Sequence, residues 1–152
     1  MSILICYDGS PSSKQALGVA HRALNGAGAT LLYVFNPPDR VIADAFSLKE
    51  GPDGPSQGQL QALVRDRALE VLGEGQELAQ RLGVSVTTRP EANHSSVWRT
   101  ILDVAEELDA DLIVTGTHGS TAVEPGLLGS VSGALAHHSH RPVLVVPNEI
   151  PA

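Results

Sequence analysis

Gly116-Thr117-His118-Gly119-Ser120-Thr121-Ala122-Val123-Glu124-Pro125-Gly126-Leu127-Leu128-Gly129-Ser130-Val131 follows the apolar run Leu112-Ile113-Val114 and precedes a helix-like run ending at His138. The spacing G-x2-G-x9-G-S therefore falls between a predicted strand and a predicted helix. A glycine at such a junction lets backbone N–H groups approach a ligand with no Cβ in the way. The start of the next helix offers N–H donors without intrahelical partners and the positive end of a dipole. Together these are the means of holding a phosphate. The bland reading of the same residues is a turn with no ligand, with Ser130 as a simple helix N-cap.

Working outward, five apolar runs punctuate the chain: Ile3–Tyr7, Thr30–Phe35, Val84–Thr88, Asp111–Thr115 and Val143–Val146. Most are continuous in Val, Ile and Leu, as in strands buried on both faces of a parallel sheet. Helical patterns lie between them. Ala16, Leu17, Ala20, Ala23 and Leu24 form the first apolar stripe, with Ser10 as N-cap, Pro11 in the first turn and Asn25-Gly26 as the stop. A second stripe is Leu60, Leu63, Val64, Val71, Leu72, Leu78 and Leu82, ended by Gly83. A third is Val97, Ile101, Val104, Ala105 and Leu108, capped by Ser96. A short fourth carries Val131, Ala134, Leu135 and His138.

Strands alternating with helices predict right-handed βαβ units in a three-layer, doubly wound α/β fold. Ligands of such folds bind beyond the carboxyl ends of the strands, where the winding reverses. Asp8 ends the first run and Gly116 follows the fourth, so both are expected on that edge. Residues 36–59 hold Pro37, Pro38, Gly51, Pro52, Gly54, Pro55 and Gly58 and read as a long variable loop, with a helical turn around Val41–Leu48. The expectation is one domain over residues 1–152.

Composition narrows the function classes. A 152-residue chain that is 42% hydrophobic is long and apolar enough for one core. A formal net charge of −7 argues against a general nucleic-acid binder. One cysteine, Cys6, excludes an intrachain disulfide and fits a reducing compartment. No apolar run approaches the ~20 residues of a membrane span. The first residues lack the basic region and apolar core of a signal peptide. The expected location is the cytoplasm.

The chain resembles the universal stress protein family, in its ATP-binding branch. The resemblance rests on Ile3-Leu4-Ile5-Cys6-Tyr7-Asp8-Gly9-Ser10, on Leu32-Tyr33-Val34, and on Ala110-Asp111-Leu112-Ile113-Val114-Thr115-Gly116-Thr117-His118-Gly119. Leu128-Gly129-Ser130-Val131-Ser132 and Arg141-Pro142-Val143-Leu144-Val145-Val146-Pro147 complete it. It implies a five-stranded parallel sheet of order 3-2-1-4-5, like that of the adenine nucleotide alpha hydrolases, and a homodimer through the last strand, residues 143–147. It also implies roles for individual residues. Asp8 lies on the nucleoside and phosphate side of the pocket, and the Val34 backbone reads the adenine edge. Thr115 and Gly116 lie beneath ribose and first phosphate, and Gly119, Gly129, Ser130 and Val131 cradle the phosphates. The implied ligand is ATP, or ADP or AMP, with Mg2+. Two departures bear on the phosphates. Ser120 stands where many relatives have a basic residue, and Glu124 adds a negative charge; both weigh against a firm hold on the γ-phosphate.

Other residues have blander readings. Asp8 also suits a turn before Ser10-Pro11, and no base, nucleophile or arginine partner marks it as catalytic. His137, His138 and His140 complement the negative end of a helix dipole better than they make a metal site. Cys6 reads as an inert strand thiol and Trp98 as helix-face packing. The leading function is a nucleotide-binding regulatory protein of the stress response. The absence of a G-x4-G-K-[ST] loop argues against fast phosphoryl transfer. The alternatives are a slow ATP-hydrolysing enzyme and a ligand-free interaction module.

Overall fold

A computed structural model of the chain describes residues 1–25, 27–38, 56–117 and 128–147. Among these residues, nine elements alternate: β1 (Ile3–Cys6), α1 (Pro11–Leu24), β2 (Ala29–Phe35), α2 (Gln57–Leu82), β3 (Val86–Ala92), α3 (Val97–Glu107), β4 (Leu112–Gly116), α4 (Ser130–His138) and β5 (Val143–Val146). The strands form one parallel sheet of order β3-β2-β1-β4-β5, as expected.

The alternation of side chains along the central strand sorts the core into two layers. Ile3, Ile5 and Tyr7 pack with Ala16, Leu17 and Ala20 of α1 and Val71, Leu72 and Ala79 of α2. Leu4, with Cys6 beside it, faces Ile101, Val104 and Ala105 of α3 and Leu135 of α4. Helices α1 and α2 thus cover one face, and α3 and α4 the other.

Local chemistry explains the element boundaries. Ser10 caps α1 by accepting the Ser13 N–H, Pro11 opens the helix, and Asn25 ends it at φ 44°. The second helix starts earlier than the apolar stripe predicts, at Gln57 rather than Leu60. Ser56 and Gln59 form a reciprocal capping box that outweighs the Gly58 between them. The predicted loop at residues 36–59 therefore loses its last three residues to α2. The turn predicted at Val41–Leu48 lies outside the described residues. Leu63, placed on the core face by periodicity, is 62% exposed. Val71 and Leu72 of the predicted stripe are buried and Leu78 and Leu82 pack against the same core, which Ala68 and Ala79 complete.

Strand β3 is displaced from the predicted Val84–Thr88. Val84 belongs to the helix end: Gly83 adopts φ 80°, and the Val84 N–H donates to the Ala79 carbonyl at 2.9 Å. The strand continues instead through Arg89-Pro90-Glu91. An edge position tolerates a proline and charged residues, and β3 is an edge. Arg89 holds Glu107 through two hydrogen bonds (3.1 and 2.6 Å) and Glu91 through one (3.2 Å). Strand β4 is shifted one residue from the predicted run, to Leu112–Gly116. Just before it Asp111 and Ser2 exchange bonds, Ser2 N–H to the Asp111 carboxylate at 2.6 Å and Asp111 N–H to the Ser2 carbonyl at 2.7 Å.

Candidate functional site

The carboxyl ends of β1 and β4 lie side by side. Ile5 pairs with Val114, so Asp8 and Thr117 each stand three residues past a register pair. After β1 the chain turns at once into α1. The Ser10 N–H donates to Asp8 Oδ1 at 2.9 Å, and Gly9 between them sits at φ 81°, a conformation that favours glycine. Ser13 completes the knot: its N–H donates to Ser10 Oγ (3.2 Å) and its hydroxyl to the Ser10 carbonyl (3.0 Å). Asp8 thus shapes the turn, as its bland reading foresaw, using one of its two carboxylate oxygens.

Beyond β4, Thr117 anchors the start of α4. The Gly129 N–H donates to the Thr117 carbonyl at 2.6 Å, and Ser132 Oγ donates to the same carbonyl at 2.8 Å and to Gly129 at 3.2 Å. These bonds bring the α4 N-terminus to the carboxyl end of β4, the strand beside β1. Gly129, not Ser130, is the N-cap residue, and as a glycine it supplies no side-chain cap. Ser130 is the first helical residue and is exposed. Gly129 is buried and extended, at φ −63° and ψ 164°, so it needs no left-handed backbone. A glycine here leaves the helix entrance without a Cβ.

Parity places the remaining predicted residues. Val34 is half-buried on β2 and packs against the α3 and α4 layer, as does Cys6. Thr115 is buried, and its hydroxyl donates to the Gly116 carbonyl at 3.2 Å. Asp8 lies two residues beyond the end of β1, in the turn to α1. Gly116 differs. A Cβ there would lie 2.9 Å from Ser12 Cβ and 3.0 Å from the Ser12 backbone carbon. The glycine lets α1 pack closely on the other face of the sheet, a reason for glycine that the ligand-based reading missed. Val131 is half-buried against the α3 and α4 core. Gly119, with His118, Ser120 and Glu124, lies outside the described residues.

The chemistry of the floor is quiet. Cys6 is pushed up from 9.0 to about 12, chiefly by desolvation and then by the charge of Asp8, while the Thr115 hydrogen bond works the other way. It stays a thiol at neutral pH and is a poor nucleophile. Tyr7 turns its ring into the α1 and α2 core, where it is 2% exposed. Its phenol is raised by burial first and then by Glu74 and Asp8. Among the described residues, no group of three His, Cys, Asp or Glu side chains could hold a metal ion. No described helix is long and apolar enough to cross a membrane.

Two serines went unassigned in the sequence. Ser132 ties the helix start to Thr117, and Ser13 braces the Asp8 turn. The available signal was a small hydroxyl three residues inside each helix cap.

These features define a doubly wound α/β protein whose central strand ends carry an acidic turn and a glycine-started helix N-terminus. The model of the universal stress protein family matches residues 1–147, and the chain belongs to that family. A putative universal stress protein of Staphylococcus aureus is 35% identical over 159 residues, covering 99% of this chain and 87% of that protein. A universal stress protein of Methanocaldococcus jannaschii is 36% identical over 95 residues, covering 60% of this chain and 55% of that longer protein. Among solved structures, hypothetical protein MJ0577 superposes with a TM-score of 0.75 at 24% identity, over 99% of this chain and 97% of that one. A universal stress protein in complex with cAMP does so at 0.67 and 23%, covering 98% of each. An Arabidopsis thaliana member with AMP bound gives 0.66 and 14%, over 98% of this chain and 92% of that one. At these identities the likeness of the solved structures is one of fold.

Proposed function

We propose that this chain binds an adenine nucleotide at the carboxyl edge of β1, β2 and β4 and acts as a nucleotide-responsive regulatory protein. The observation that carries the reading is the α4 entrance. Gly129 starts the helix without a Cβ, and its N–H is hydrogen-bonded to Thr117, just past the carboxyl end of β4 and next to β1. In this reading the N–H groups of Ser130 and Val131 take the phosphate, Thr115 and Gly116 underlie ribose and first phosphate, and the Val34 backbone meets adenine. Gly119 is assigned with them on the sequence spacing alone. The family's cAMP-bound and AMP-bound members support the ligand class.

Mg2+ fits as a companion of the nucleotide. It commonly takes one or two carboxylates with phosphate oxygens and waters. Asp8 offers one such carboxylate, with one oxygen free of the Ser10 bond. The metal would screen phosphate charge. ATP is the first candidate ligand, and the sequence departures at Ser120 and Glu124 favour comparing it with ADP and AMP.

The dimer proposal rests on the contrast between the two sheet edges. Strand β3 is defended by Pro90, Arg89 and Glu91, whereas β5 is Val143-Leu144-Val145-Val146 with no charge. An apolar edge of this kind invites pairing with its own copy about a two-fold axis.

Calorimetric titration of the wild type and Gly129→Val with ATP, ADP and AMP tests the site. We expect saturable binding in the wild type and a loss of at least tenfold in Gly129→Val, with the fold intact by circular dichroism. Equal affinity in both proteins would show that the α4 entrance does not hold phosphate.

A further inference from the structure

Helix α4 is short for the work proposed for it. It has nine residues, of which Ser132 and Leu135 are buried. A helix this short has little stability of its own and depends on packing for its position. Its N-terminal end is tied by the Ser132 and Gly129 bonds to Thr117. At its other end, the His138 ring stacks on Trp98 of α3, with centroids 4.5 Å apart and planes 13° from parallel. His137 meets His138 edge-on at 4.7 Å, and the Arg99 guanidinium lies 5.2 Å from the centre of the Trp98 ring. Trp98 is half-buried in the α3 and α4 core layer, so the stack joins an exposed helix end to a fixed surface.

We infer that the Trp98–His138 stack is a positioning contact for the nucleotide site: it holds α4 against α3 and so fixes where the Gly129–Val131 entrance points. The inference rests on the proposed nucleotide reading. Neither ring is placed at the ligand. Their effect is transmitted along one rigid helix, about 1.5 Å per residue and thus on the order of 12 Å from end to end. Aromatic pairs are favourable beyond their buried area. A loosened α4 would sample misaligned entrances, and binding would fall by the fraction of time the aligned one is lost. Only the phosphate end of the ligand would notice, since adenine is assigned to β2.

The test uses the full chain as wild type, His138→Ala and His138→Phe. Amide hydrogen exchange without nucleotide examines the clamp by itself. Exchange of the α4 amides should speed about fivefold in His138→Ala, leave β1 and β4 unchanged, and return towards wild type in His138→Phe, which restores a stackable ring. Titration then reads the consequence. AMP should bind about threefold to fivefold more weakly to His138→Ala, adenosine equally to all three proteins, and His138→Phe should recover AMP binding. Unchanged α4 exchange in His138→Ala would overturn the clamp. So would AMP and adenosine weakened alike, or a His138→Phe variant no better than His138→Ala. If α4 exchange responds as expected but the wild type binds no AMP, the nucleotide reading fails, the positioning role fails with it, and the mechanical contact alone stands.

Discussion

Replacing Gly75 with alanine sets two effects of similar size against each other. Both Gly73 and Gly75 lie inside α2, where alanine is favoured over glycine by about 1 kcal/mol. Around Gly73 a new Cβ meets nothing within 4 Å, so Gly73→Ala should gain roughly that amount. At Gly75 the Cβ would lie 2.8 Å from Tyr7 Cε1 and 3.0 Å from Cδ1 and Cζ. Carbon pairs prefer about 3.5–4.0 Å. The ring is fully buried and cannot swing aside into solvent. Overpacking of this kind costs about 1–3 kcal/mol. The net for Gly75→Ala is then about 0–2 kcal/mol of destabilisation, and the two alanine variants should differ by about 1–3 kcal/mol. For a chain of this length each kcal/mol moves Tm by roughly 2–4 °C. Gly73→Ala should melt a few degrees above wild type, and Gly75→Ala at or below it. Urea unfolding followed by circular dichroism supplies the free energies. Adding Tyr7→Leu should shrink the gap between the two alanines. A Gly75→Ala protein as stabilised as Gly73→Ala would refute the placement of Tyr7 against α2.

Further outcomes follow from the same structure. Cys6 has its folded value raised from 9.0 to about 12, so its contribution to stability is whole below pH 9 and is lost as pH rises towards 12. Tyr7, also raised, acts in the same direction. Alkaline melting should therefore show Tm falling above pH 9, less steeply in Cys6→Ala; equal slopes would remove Cys6 from the account. The wild-type thiol should react with iodoacetamide at pH 7.5 far more slowly than a free cysteine does. Val145→Lys should convert a dimer to a monomer in light scattering at micromolar concentration; a wild-type monomer, or a dimer indifferent to the lysine, would rule out the β5 interface.

Most of the architecture was legible because it depends on pattern. Continuous Val, Ile and Leu runs separated by helical stripes fixed the parallel sheet and its two covered faces. Errors arose where a local bond or a tertiary contact overrode the pattern. The Ser56–Gln59 capping box started α2 ahead of its stripe, and the edge position let β3 run through Pro90. Leu63 matched the helical period, yet it lies beyond the part of α2 that meets the buried core. The candidate site was legible as spacing but not as division of labour. Gly116 and Gly129 look alike in the sequence. One admits Ser12 of α1 and the other opens a helix end. Only the alternation of side chains about the sheet separates them. The Trp98–His138 contact joins residues 40 positions apart, and no local signal announces it.

The central claim is that an adenine nucleotide sits on the entrance of α4. Amide NMR of the 15N-labelled protein titrated with AMP and with ATP plus Mg2+ tests it most directly. The account predicts saturable shifts largest at Gly129, Ser130 and Val131, accompanied by Asp8 and Val34, with the β3 edge unaffected. No saturable shift at millimolar nucleotide, or shifts centred elsewhere on the chain, would contradict it.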